Sequence, residues 1–224
     1  MAPVFKSEWH LPPARELLGP ALWAASRDNK LSEVKRLVQK RPYPLQYVWT
    51  PLLLPAVEGS ALAVVAYCLE QGARITDRTL STISYSKDSD AAYRYLVGEG
   101  ILDVNYDIDR TGTLLGTMTS SKRYELVRFM LDRGADPNQR VECYCHIKAL
   151  AAAAQSGDPE MIGILLDHGA KLKGSGALVL AAERGKLEAV RFLLARGADF
   201  NELAVVLPDR RSLTCLGTRE SCTR

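Results

Sequence analysis

The chain has 224 residues, 47% of them hydrophobic and 25% charged, with a formal net charge of +3. This is the composition of an ordinary folded chain, which argues against disorder, and the charge is too small to point to nucleic acid. No apolar run approaches the roughly 20 residues of a membrane-spanning helix, and the opening MAPVFKSEWHLPPARELL lacks the apolar stretch of a secretory signal. We therefore expect no membrane segment and an intracellular, cytoplasmic setting. The five cysteines, Cys68, Cys143, Cys145, Cys215 and Cys222, are odd in number and irregularly spaced, which fits a reducing compartment. Cys143, Cys145 and His146 lie close together, but a zinc site needs a second such cluster, and none stands at a suitable distance. They are read as loop thiols, and neither a metal nor a cofactor is expected.

In chain order, residues 11–19, LPPARELLG, can cap the N-terminal end, so 1–19 is taken as a cap segment. Two short apolar segments then alternate six times. The first of each pair is PALWAASRDN (20–29), TPLLLPAVEG (50–59), TLSTISYSKD (79–88), TLLGTMTSSK (113–122), KALAAAAQSG (148–157) and GALVLAAERG (176–185). The second is best written in YELVRFMLDRGADPN (124–138) and LEAVRFLLARGADFN (187–201). In the last of these, Leu187, Val190, Leu193 and Leu194 share one helix face, Arg196 suits the negative helix end, and Gly197 is a stop that accepts a left-handed backbone. The same stop recurs at Gly72, Gly100, Gly134 and Gly169, with Arg41 in a degenerate first copy. From the start of each first segment to its stop the count is 21 residues in five copies and 22 in the second. A helix pair of constant length, joined to the next by a variable loop, cannot bury its apolar faces alone and must stack on its neighbours. The expected fold is all-α, with the repeat array filling 20–201.

With TPLLLPA in the opening position, and GADPN and GADFN closing two units in register, the unit resembles the ankyrin repeat, although Leu53 replaces the usual histidine of the opening and Pro55 an alanine. The resemblance implies a solenoid of stacked helix-turn-helix units with short or irregular hairpin loops, and a groove used for protein recognition. It also implies that the two residues before each inter-helix turn face that groove: Arg27 and Asp28, Val57 and Glu58, Ser86 and Lys87, Ser120 and Ser121, Gln155 and Ser156, Glu183 and Arg184. The turn itself calls for positive φ, which Gly59, Gly157 and Gly185 supply, which Asn29 and Asp88 tolerate, and which Lys122 accommodates poorly. Pro55 is expected to shift the start of its helix. Trp49, with Tyr43 and Tyr47 nearby, is read as core packing at the N-terminal end.

Only the segments 101–112 and 135–147 are long enough to form full fingers between pairs. They carry Tyr106, Asp107, Asp109 and Arg110 on one, and Arg140, Glu142, Tyr144 and His146 on the other. Tyrosine and arginine are enriched at binding hot spots. The favoured function is a scaffold or adaptor that binds another protein through these fingers, with Ser120 and Gln155 of the adjoining groove, and uses no catalytic residue. The groove carries no basic stripe of the kind nucleic acid requires. The alternative is a pocket that binds or transforms a small metabolite, with Tyr106, Asp109, Tyr144 or His146 as acid or base. After Asn201, where a seventh pair would stand, the chain reads ELAVVLPDRRSLTCLGTRESCTR. Residues 202–207 are expected to cover the last pair, with the remainder of the 202–224 tail partly disordered and any weak homodimer formed through this terminal face.

Overall fold

A computed structural model describes residues 14–40, 48–108, 112–139 and 148–201. The chain forms two compact units, Met1–Asp109 and Arg110–Arg224. The first unit contains α1 (Ala14–Arg27), α2 (Leu31–Gln39), α3 (Trp49–Glu58), α4 (Leu62–Glu70), α5 (Asp77–Tyr85), a 3-10 turn (Lys87–Ser89) and α6 (Asp90–Gly98). The second contains α7 (Leu114–Ser120), α8 (Tyr124–Asp132), α9 (Ala149–Ser156), α10 (Pro159–Asp167), α11 (Ala177–Glu183) and α12 (Leu187–Ala195). Among the described residues the only strands are the two-residue pieces β1 (Asp107–Ile108) and β2 (Gly112–Thr113). Among the described residues six helix pairs follow the order that the start-to-stop count gives, with α1 beginning before residue 20, and the fold is all-α.

Within each unit the first helices of successive pairs form one row: α3 packs between α1 and α5, and α9 between α7 and α11. The second helices form another, in which α2 and α6 pack on α4, and α10 on α12. The apolar faces close between the rows, with Leu18, Leu22, Leu52, Leu80, Ile83 and Leu96 fully buried in the first unit and Leu114, Met118, Leu126, Ile162 and Leu165 in the second. Each such side chain contributes about 1.5–3 kcal/mol. Neighbouring pairs also exchange polar contacts: Asn138 donates from Nδ2 to the Gly169 carbonyl at 2.9 Å and accepts from Lys171 N–H at 2.8 Å.

The stop glycines act as their sequence suggests. Gly72, Gly134, Gly169 and Gly197 have φ between 86° and 89°, and the following alanine closes a wide turn onto the helix, as in Ala135 N–H to the Met130 carbonyl at 2.9 Å. The phrase Asp-x-Asn after the stop is a second local device, because the Asp136 carboxylate accepts from Asn138 N–H and Asp199 from Asn201 N–H, each at 2.8 Å.

Four local expectations are corrected. The α3 helix runs through Pro55 from Trp49, one residue before the expected start, and Pro55 is buried within it. At the second inter-helix turn the left-handed residue is Ser60, with φ of 50°, rather than Gly59. Gly59 is needed for space instead, since a Cβ there would lie 2.2 Å from the Arg27 carbonyl oxygen. Val57 is fully buried and does not face the groove. Asp88 does not adopt a left-handed turn, because the third pair is joined by the 3-10 turn, where the Ser89 hydroxyl donates to the Ile83 and Ser86 carbonyls. Lys122 does take the strained turn, at φ of 56°. The cap segment begins to be described at Ala14, where α1 continues through a break at Gly19 (φ 67°, ψ 164°) with Pro20 opening its second stretch. The tail, 202–224, lies outside the described residues.

Candidate protein-binding surface

On the first-helix row of the first unit, α1, α3 and α5 leave a cleft of about 320 Å³ lined by Arg15, Trp23, Leu54, Glu58, Arg78 and Ser81. The Arg15 guanidinium lies 5.7 Å from the centre of the half-buried Trp23 ring, within cation–π range. Arg78 is exposed, and its guanidinium makes no hydrogen bond or ion pair to a described residue. Thr82, one turn on, donates its hydroxyl to the Arg78 carbonyl at 2.9 Å, which fixes the helix edge there. Tyr85 continues the same face of α5 and is 76% exposed. Of the residues expected to face the groove, Glu58 lines this cleft. Trp23 and Arg78 were not singled out by the repeat pattern.

In the second unit the corresponding row is polar. Ser120 is exposed and donates its hydroxyl to the Gly116 carbonyl at 3.0 Å. Gln155, with its amide oxygen turned to Arg184, accepts from that guanidinium at 3.0 and 3.3 Å, so it bridges α9 to the end of α11.

Of the finger residues, Tyr106 is half-buried, and its hydroxyl donates to Asp77 of α5 at 3.3 Å, so the ring is held against the first turn of that helix. The backbone of Asp107 is in β1. Asp109, Arg110, Arg140, Glu142, Tyr144 and His146 lie outside the described residues, as do Cys143, Cys145, Tyr43 and Tyr47. Trp49 is buried, edge-on to the Tyr67 ring at 5.6 Å between centres, as a core residue should be.

The titratable groups with displaced pKa values have structural explanations. Burial by itself raises the Asp158 carboxyl, but the Tyr124 hydroxyl, the Met161 N–H at 3.1 Å and the Lys122 ammonium at 3.7 Å outweigh it and hold the group below its ordinary value. The same bond pushes the Tyr124 phenol up to about 12. Asp158 is the N-cap of α10, so this cluster fastens α7, α8 and α10 together. Burial pushes the Cys68 thiol up to about 12, far from the range of a reactive thiolate. His168, at the C-cap of α10, holds the Ile164 carbonyl through Nδ1 at 2.8 Å.

Residues 117–204 match the family model for ankyrin repeats, in three copies. Among solved structures, the chain is similar to one described as the Bd0816 predatory endopeptidase from Bdellovibrio bacteriovorus in complex with the immunity protein Bd3460, at 23% identity and a TM-score of 0.62, over 80% of this chain and 98% of that one. It is similar to the ankyrin repeat domain of Bcl-3, a member of the IkappaB family, at 25% identity and a TM-score of 0.61, over 82% and 88% of the two chains. The ankyrin repeat domain of human ASB11 matches at 20% identity and a TM-score of 0.59, over 81% and 99%. No helix among the described residues is long and apolar enough to cross a membrane.

Proposed function

Because residues 117–204 match the ankyrin-repeat family model and the fold resembles ankyrin repeat domains, we propose that the chain is a non-catalytic scaffold that binds another protein along the first-helix row of each unit and through the fingers 101–112 and 135–147. The observation that carries this reading is the set of aromatic, basic and polar side chains that the first helices keep accessible: although these helices are the more buried members of their pairs, Trp23, Arg78, Tyr85, Ser120 and Gln155 remain at least partly exposed. Large amphipathic rings and guanidinium groups on a rigid row are what a protein hot spot requires. One of the similar structures is itself a complex of two proteins, which supports the same use here. In this reading Tyr106, Asp107, Asp109, Arg110, Arg140, Glu142, Tyr144 and His146 belong to the contact surface. Self-association, where it occurs, involves the C-terminal face on and just after α12, where Leu187 and Phe200 are each 66% exposed.

Capture from native lysate tests the reading. The tagged chain should retain a protein, and replacing Tyr106, Arg110, Tyr144 and His146 together with alanine should abolish retention while leaving the melting temperature within a few degrees. Capture of a metabolite but no protein would favour the catalytic or small-molecule alternative.

A further inference from the structure

The cleft between α1, α3 and α5 has a chemistry of its own, and it deepens the protein-binding reading, on which it rests, by naming what the partner presents. At about 320 Å³ it sits at the foot of the range for small-molecule sites, roughly 300–1,000 Å³. Such a volume holds one or two side chains better than a whole metabolite. Its apolar lining includes Trp23 and Leu54. Its charged lining consists of two guanidinium groups, Arg15 and Arg78, against one carboxylate, Glu58.

The two cations are not equivalent. Arg15 already lies over the Trp23 ring, where it stiffens the indole and covers one of its faces. Arg78 extends from an exposed position of α5 and has no side-chain partner among the described residues. Beside it, on the same helix edge, stand the Ser81 and Thr82 hydroxyls, and the Thr82 proton is committed to the Arg78 carbonyl. A guanidinium flanked by a hydroxyl donor matches a carboxylate, which it can hold through two parallel N–H bonds. Glu58 limits how much negative charge the cleft accepts, because a second carboxylate placed near it would be repelled.

We propose that this cleft seats a short extended acidic segment of the protein partner, with a single aspartate or glutamate carboxylate on Arg78 and an adjacent aliphatic or aromatic side chain on Trp23 and Leu54. Arg15 supports the aromatic lining, and Glu58 selects one acidic residue among apolar ones over an unbroken acidic run. The free indole face supplies area, and the carboxylate fixes the register.

The test follows the indole N–H signal of Trp23 by nuclear magnetic resonance in the full ¹⁵N-labelled chain. The chain has three tryptophans, so the signal is assigned by its loss in Trp23→Phe. The probes are an end-capped octapeptide with one aspartate between a leucine and a phenylalanine, the same peptide with lysine or asparagine in place of the aspartate, and sodium phosphate. The aspartate peptide should move the signal saturably, and the asparagine peptide should bind at least tenfold more weakly. Arg78→Glu, at an exposed position where the rest of the spectrum reports on folding, should abolish aspartate-peptide binding and admit the lysine peptide instead. Equal shifts with the aspartate and lysine peptides would overturn the proposal, as would undiminished aspartate-peptide binding by Arg78→Glu. An equal shift from phosphate alone would also overturn it, making the cleft a plain anion site. If no octapeptide binds while lysate capture still retains a protein, the cleft assignment falls and the scaffold reading stands. If capture fails while the aspartate peptide binds, the reverse holds.

Discussion

Asp158→Asn removes one negative charge from a side chain that is only 7% exposed and serves three partners at once. Its Oδ1 accepts from Met161 N–H at 3.1 Å as the N-cap of α10, and Asp158 also accepts from the Tyr124 hydroxyl and faces Lys122 at 3.7 Å. Losing an N-cap outright costs about 0.5–2 kcal/mol, of which an asparagine recovers most. Weakening a charge-assisted bond to a neutral one costs about 1 kcal/mol, and the half-exposed lysine pair adds at most about 1 kcal/mol. We expect a loss of about 1–2 kcal/mol at pH 7, and about 2–3 kcal/mol for Asp158→Ala, which forfeits the cap as well. The charge-dependent part has a definite pH signature. The folded pKa lies below the unfolded one, so wild type binds fewer protons at this site when folded, and the advantage is complete above the unfolded value of about 4. It is lost as pH falls from there through the folded value. Urea unfolding at 25 °C, followed by circular dichroism at pH 7, 5, 4 and 3, should therefore show a constant gap between wild type and Asp158→Asn down to pH 5, then a shrinking one. A gap that persists undiminished at pH 3, or is absent at pH 7, would refute the reasoning.

The two kinds of glycine separate by substitution. Gly59→Ala sets a methyl 2.2 Å from a backbone carbonyl and should cost more than Gly72→Ala, where nothing lies within 4 Å and only the φ of 86° is strained, at about 1 kcal/mol; equal losses in thermal unfolding would contradict this. The Tyr93 hydroxyl is buried with no partner among the described residues, so Tyr93→Phe should leave stability unchanged or raise it by up to about 1 kcal/mol, and a loss above that would show that the hydroxyl is bonded. Deleting 208–224 should leave stability unaltered, whereas deleting 202–224 should lower it and increase self-association in light scattering, because Leu187, Leu194 and Phe200 are exposed on and just after α12; identical behaviour of the two truncations would deny 202–207 a covering role.

Repetition made the fold legible. The duplicated phrase located Gly134 and Gly197 and therefore the ends of α8 and α12, and the constant count back from each stop placed the first helices. Errors arose where contacts between pairs overrule local preference. Gly59 looks like a turn glycine, yet it is there because Arg27 of the preceding pair leaves no room for a Cβ, and Ser60 carries the strain instead. Val57 sits in register with groove positions, but α3 turns it into the core. The cleft was less legible still, because Trp23, Leu54 and Arg78 come from three successive pairs with no common motif. Which part of each first helix looks outward depends on how the helices rotate as they stack. Trp23, the one aromatic residue of α1, was the available signal.

The central claim is that partner binding uses the first-helix row and the fingers, and hydrogen–deuterium exchange of the chain with and without its captured partner tests it most directly. Protection is predicted in peptides covering 15–27, 51–58, 78–85, 101–112, 114–120, 135–147 and 149–156, with α2, α4, α8 and α10 unchanged. Protection confined to those second helices would contradict it.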